Sequence, residues 1–98
     1  MLIRSQNKQN IFNISTISGI GFGEHPDTYP WQMFALIDGR EYLLGKYSTK
    51  EKAIKVLDMI EEEYNEPIYI HKNGYQYEKY DHEVFHMPSD NDEDLRGN

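Results

Sequence analysis

Between Ser48 and Tyr64, apolar residues recur at helical spacing on one side of the chain, and this stretch limits the possible folds more than any other. Ala53, Val56, Leu57, Ile60 and Tyr64 form the stripe. Lys50, Lys52, Lys55, Asp58, Glu61 and Glu62 occupy the remaining surface. Ser48 and Glu51 have the spacing of a capping box, and Pro67 prevents continuation. A lone helix with one apolar stripe must bury it against something, and the rest of the chain is strand-like.

Met1–Ser5 reads as a first strand and Gln6–Gln9 as a turn. Ile11–Phe22 is rich in Ile, Thr and Phe and reads as a second strand, broken at its far end by Gly19, Gly21 and Gly23. Residues 23–30 read as a loop. Trp31–Ile37, Asp38-Gly39 and Tyr42–Tyr47 form a hairpin pattern, because Asp-Gly suits a two-residue turn. Asn73-Gly74 gives the same signal between Ile68–Ile70 and Tyr75–Tyr80, and Val84–Met87 is a last short strand before Pro88. The expectation is an α+β fold: an antiparallel or mixed β-sheet of four to six strands with one amphipathic helix across one face. The expected core is Ile14, Trp31, Phe34, Leu36, Leu43, Ala53, Val56, Leu57, Ile60 and Phe85. Residues 1–88 form the single expected domain, and 89–98 an acidic, disordered tail.

Charge narrows the partners. The 98 residues carry 17 Asp+Glu against 10 Lys+Arg, a net charge of −7. Nucleic-acid binding draws most of its affinity from phosphate neutralisation by basic residues, so direct DNA or RNA binding is disfavoured. A protein partner with a basic surface is favoured. With no cysteine, disulfides, thiolate catalysis and Cys-ligated zinc are excluded. The opening MLIRSQNKQN lacks the apolar segment of a signal peptide, and no apolar run is long enough to span a bilayer. The expected location is the cytoplasm, with no membrane contact.

Several motifs invite chemistry. His82-Glu83-Val84-Phe85-His86 spells the zinc-protease string. That chemistry needs both imidazoles on one helical face, whereas Val-Phe is strand-prone and Pro88 follows closely. Residues four apart on a strand lie about 13 Å apart, so the expectation is no metal and no catalytic residue. Gly19-Ile20-Gly21-Phe22-Gly23 lacks the third fingerprint glycine and the following helix of a phosphate loop. Glu61, Glu62, Glu63 and Glu66, followed later by Asp90, Asp92, Glu93 and Asp94, could imitate a row of phosphates, although charge runs commonly just solvate a surface. Arg4, Ser5, Gln6 and Lys8 form a polar, cationic cluster that could hold a nucleotide-like molecule beside aromatic rings, or simply form a strand end and turn.

Ile3-Arg4-Ser5-Gln6-Asn7-Lys8, Leu44-Gly45-Lys46-Tyr47-Ser48-Thr49 with Lys52-Ala53 and Val56-Leu57-Asp58-Met59-Ile60, and Val84-Phe85-His86-Met87-Pro88 are distinctive in combination. Together they resemble a family of short, uncharacterised proteins from low-GC Gram-positive bacteria and their phages. The resemblance covers about half of the chain and carries no catalytic roles. It implies a mobile-element setting, in which small acidic proteins often block host defences.

The leading expectation is therefore a non-enzymatic accessory protein of a phage or mobile element. It inhibits a host nucleic-acid-handling or defence protein through an acidic, Tyr-rich surface of Glu61, Glu62, Glu63, Glu66, Tyr69, Tyr75 and Tyr77, without a cofactor. The alternative is a small-molecule binder that sequesters a nucleotide signal at a subunit interface, using Arg4, Ser5, Gln6 and Lys8. Homo-oligomerisation, most simply as a dimer, is expected from the rings that a thin core cannot hold.

Overall fold

The computed structural model of the chain describes residues 1–65, 69–72, 75–78 and 84–96, with side chains for 1–64 and 84–96. Strand β1 (Leu2–Arg4) leads through a turn to β2 (Ile11–Asn13), and a 3-10 turn at Ile14–Thr16 leads to β3 (Gly19–Glu24). Next come β4 (Trp31–Ile37), β5 (Arg40–Tyr47) and helix α1 (Lys50–Asn65). A hairpin of β6 (Tyr69–Lys72) and β7 (Tyr75–Glu78), then β8 (Val84–His86) and a 3-10 turn at Glu93–Leu95, complete the order.

The fold is α+β, with the strands divided between sheets rather than gathered in one. β2-β1-β8 is a mixed three-stranded sheet, in which β1 pairs antiparallel to β2 and parallel to β8. β3-β4-β5 is an antiparallel meander, and α1 packs against all three of its strands. β6 and β7 pair antiparallel with Lys72 opposite Tyr75. The Asn73-Gly74 pair between them lies outside the described residues.

The Asp38-Gly39 turn forms as its sequence dictates. Ile37 pairs with Arg40, and both turn residues have positive φ, 51° at Asp38 and 76° at Gly39. That is the type I′ geometry, which Gly adopts without strain. Ile11–Phe22 is not one strand, because Asn13 accepts from the amide of Ser15 and winds Ile14–Thr16 into a turn. Gly19, Gly21 and Gly23 do not break the chain either. They lie within β3, paired with Leu36, Phe34 and Gln32.

The core centres on Ile3, Met33, Ala35, Leu44, Tyr47, Ala53, Val56, Ile60, Phe85, Met87 and Leu95. Ile14, Trp31 and Leu57 pack partly buried against it. Leu36 and Leu43, expected inside, are 37% and 36% exposed, and Phe34 is only half-buried. Alternate residues of a strand face opposite sides, so burial of Met33 and Ala35 turns Phe34 and Leu36 outward. A bulge adds to the misreading. Met33 pairs with Gly45 but Phe34 pairs with Leu43, so Leu44 is the extra residue and points inward. Tyr64, at the end of the helix stripe, is 64% exposed.

Candidate functional site

The chain after β8 folds back onto the start of α1 and forms no free tail over 89–96. The Met87 amide donates to the carbonyl of Arg4 at 3.0 Å, continuing the β1–β8 alignment. The Pro88 carbonyl accepts from the Tyr47 hydroxyl at 2.8 Å and from Gln6 Nε2 at 3.1 Å. Asp90 Oδ1 accepts from the Ser48 amide at 2.8 Å and from its hydroxyl at 3.0 Å. Lys52 Nζ lies 3.4 Å from Asp90 Oδ2 and donates to the Asp90 carbonyl at 2.8 Å. Asp92 then accepts from the amide of Asp94 and starts the last 3-10 turn, and Leu95 is fully buried. One deeply buried leucine anchors a segment whose composition reads as disordered.

These contacts revise the helix cap. Thr49, not Ser48, accepts the amide of Lys52, at 3.2 Å, so no Ser48–Glu51 box forms. Ser48 instead gives its amide and hydroxyl to Asp90.

The electrostatics follow from the geometry. Partial burial pushes the Asp90 carboxyl up, but the two Ser48 hydrogen bonds and the Lys52 ammonium outweigh it and hold the group below the usual carboxylate range. Burial pushes the Tyr47 hydroxyl up, reinforced by the charges of Asp90 and Asp92, so it remains a neutral donor to Pro88.

The returning segment brings its acids to those of the helix. Lys55, Met59, Glu62 and Glu63 of α1, Phe85 of β8 and Asp94 line an open groove of about 310 Å³. Met59 is half-buried and Phe85 buried, and each supplies an apolar wall. Glu62 and Asp94 are exposed carboxylates in its lining. With apolar walls and three carboxylates against the one ammonium of Lys55 in its lining, the groove suits a long cationic side chain, whose stem takes the walls and whose head takes the carboxylates.

Of the expected acidic site, Glu62 and Glu63 line this groove, and Glu61 is exposed on α1 beside them. Glu66 lies outside the described residues. Tyr69, Tyr75 and Tyr77 have their backbones in the β6–β7 hairpin, and their side chains lie outside the described part. Asp94, Phe85, Met59 and Lys55 complete the groove, and only the run of acids around Asp94 hinted at this in sequence.

Most polar groups of the alternative cluster are used internally, with Arg4 Nε buried and without a hydrogen-bond partner among the described residues. Ser5 is buried, donating to Asn7 Oδ1 and accepting from the Asn10 amide. Gln6 Oε1 accepts from the Lys46 amide, while its Nε2 donates to the carbonyls of Lys46 and Pro88. Arg4 Nη2 donates to the carbonyl of Lys8, whose own backbone is left-handed with φ of 66°. These residues shape the β1–β2 turn and clasp β5. Their signal in sequence was that of a turn as much as of a site.

Val84–His86, the second half of the zinc-protease string, is a strand with Phe85 turned inward, and His82 and Glu83 lie outside the described residues. Among the described residues, no group of three or more His, Cys, Asp or Glu is placed to hold a metal ion. No helix among them is long and apolar enough to cross a membrane. No family model, curated protein or solved structure matches the chain.

Proposed function

We propose that the chain is a cytoplasmic, non-enzymatic accessory protein of a phage or mobile element in a low-GC Gram-positive host. It binds a basic surface of a host nucleic-acid-handling or defence protein and blocks it. The observation that supports this reading is the groove between α1 and the returning segment, where Glu62, Glu63 and Asp94 surround Met59 and Phe85. An Arg or Lys from the partner enters between the carboxylates. The net charge of −7 speeds encounter with a basic patch and repels nucleic acid and anionic membranes.

The test is affinity capture from a Gram-positive host lysate, comparing the wild type with Glu62→Lys/Asp94→Lys. The expected result is a partner of basic surface held at low salt and lost with the double variant. Equal capture by both proteins contradicts this surface as the site.

A further inference from the structure

The β3-β4-β5 meander has two edges, and they differ in how they end. At β5, Gln6 covers part of the edge: its amide donates to the Leu44 carbonyl at 2.7 Å, and its Oε1 accepts from the Lys46 amide at 2.9 Å. Gly45 permits this approach, since a Cβ there would lie 3.3 Å from Gln6 Cβ. At β3, no further strand pairs among the described residues.

Which β3 groups face outward follows from the pairing. The His25 amide donates to the carbonyl of Pro30, directly opposite in the register that continues β3 onto β4. Bonded pairs recur every second residue in an antiparallel ladder, so Gly23, Gly21 and Gly19 address β4. The amides and carbonyls of Ile20, Phe22 and Glu24 therefore point away from the sheet. Among the described residues, no hydrogen bond outside the ladder reaches them. Lys, Pro and bulges commonly protect such edges, and Gly19–Glu24 has none of them.

We propose that β3 is a self-pairing edge that joins two copies of this chain into a continuous antiparallel sheet. A two-fold axis at Phe22 sets Phe22 opposite Phe22 of the second copy and Ile20 opposite Glu24. Each of these pairs can exchange two backbone hydrogen bonds. The register is electrostatically compatible, because the only charged residue of the strand faces an isoleucine and the two copies of Glu24 lie at opposite ends of the seam. The nearby Asp27 carboxylate is already paired with Lys46 Nζ at 2.7 Å. Gly21 faces Gly23 across the seam on the outer face; a Cβ at Gly21 would meet nothing within 4 Å, while the His25 ring, 3.6 Å from the Cβ position of Gly23, flanks the seam on that face. Pairing joins the apolar outer faces that carry Phe34, Leu36 and Leu43. The two-fold contact uses the β3 edge of both copies and so closes on itself, and Gln6 blocks the Leu44–Lys46 part of the β5 edge.

The test is sedimentation velocity on the full chain across a concentration range, together with amide hydrogen exchange by NMR. The wild type is expected to shift from 11.6 kDa towards twice that mass. Protection of the Ile20, Phe22 and Glu24 amides is expected to rise with concentration. Glu24→Pro removes an outward donor and an exposed side chain while sparing the ladder to β4, so it is expected to remain monomeric with an unchanged circular dichroism spectrum. A wild type that stays monomeric at several hundred micromolar overturns the proposal. So does a dimer in which these three amides exchange at concentration-independent rates. The exchange result decides the matter even if Glu24→Pro misfolds. Glu62→Lys/Asp94→Lys is expected to dimerise normally, which separates this edge from the acidic groove.

Discussion

Asp90 accepts both the amide and the hydroxyl of Ser48, at 2.8 and 3.0 Å, across 42 positions of sequence. This contact fastens the last segment to the residue preceding Thr49, the helix cap. It also orients the segment that carries Asp94 to the groove. Asp90→Ala is expected to destabilise the protein by about 2 kcal/mol, in the range for hydrogen bonds to a charged group. Urea denaturation checks this, and an unchanged midpoint contradicts the clasp.

The same contact sets a pH dependence. The folded Asp90 carboxyl titrates below its ordinary value, so its contribution is complete above the unfolded value of about 3.9. It is lost as pH falls through the lower folded value. Asp90→Asn is therefore expected to flatten the stability profile below about pH 4. Thermal melts between neutral pH and pH 3 compare the two proteins, and parallel profiles contradict the assignment.

Thr49→Ala is expected to cost about 1 kcal/mol through loss of the Lys52 amide bond, as for other helix N-caps. Chemical denaturation provides the measurement, and a loss well below this contradicts Thr49 as the cap. The capping-box pattern in sequence favoured Ser48 because its true partner, Asp90, is remote. Local spacing can show that a helix begins near residue 48, but it cannot show that a distant carboxylate claims the nearest hydroxyl.

Met33→Ala is expected to cost about 2–5 kcal/mol, as for other fully buried large side chains, and Leu36→Ala much less. Equal losses in denaturant melts contradict the inward register of β4. Here the sequence was legible only in part. Asp38-Gly39 fixed the hairpin, and Ala53, Val56 and Ile60 fixed the buried side of the helix. Both sides of β4 carry apolar residues, so its pattern does not show which side faces that helix, and the bulge at Leu44 resets which residues of β5 turn inward. The glycines of β3 misled for a related reason: alone they suggest a break, yet β4 supplies the pairing that keeps them extended. Glu62 and Glu63 were legible as exposed acids, but the approach of Asp94 depends on burying Leu95, one apolar residue in an acidic run.

The central claim is that α1 and the returning segment jointly form the binding groove. Isothermal titration of the captured partner tests it most directly, using wild type, Asp94→Lys and Leu95→Ala. Leu95→Ala keeps every charge while loosening the segment that holds Asp94. Both variants are expected to bind at least tenfold more weakly, with α1 still folded by circular dichroism. Wild-type affinity in both would contradict the claim.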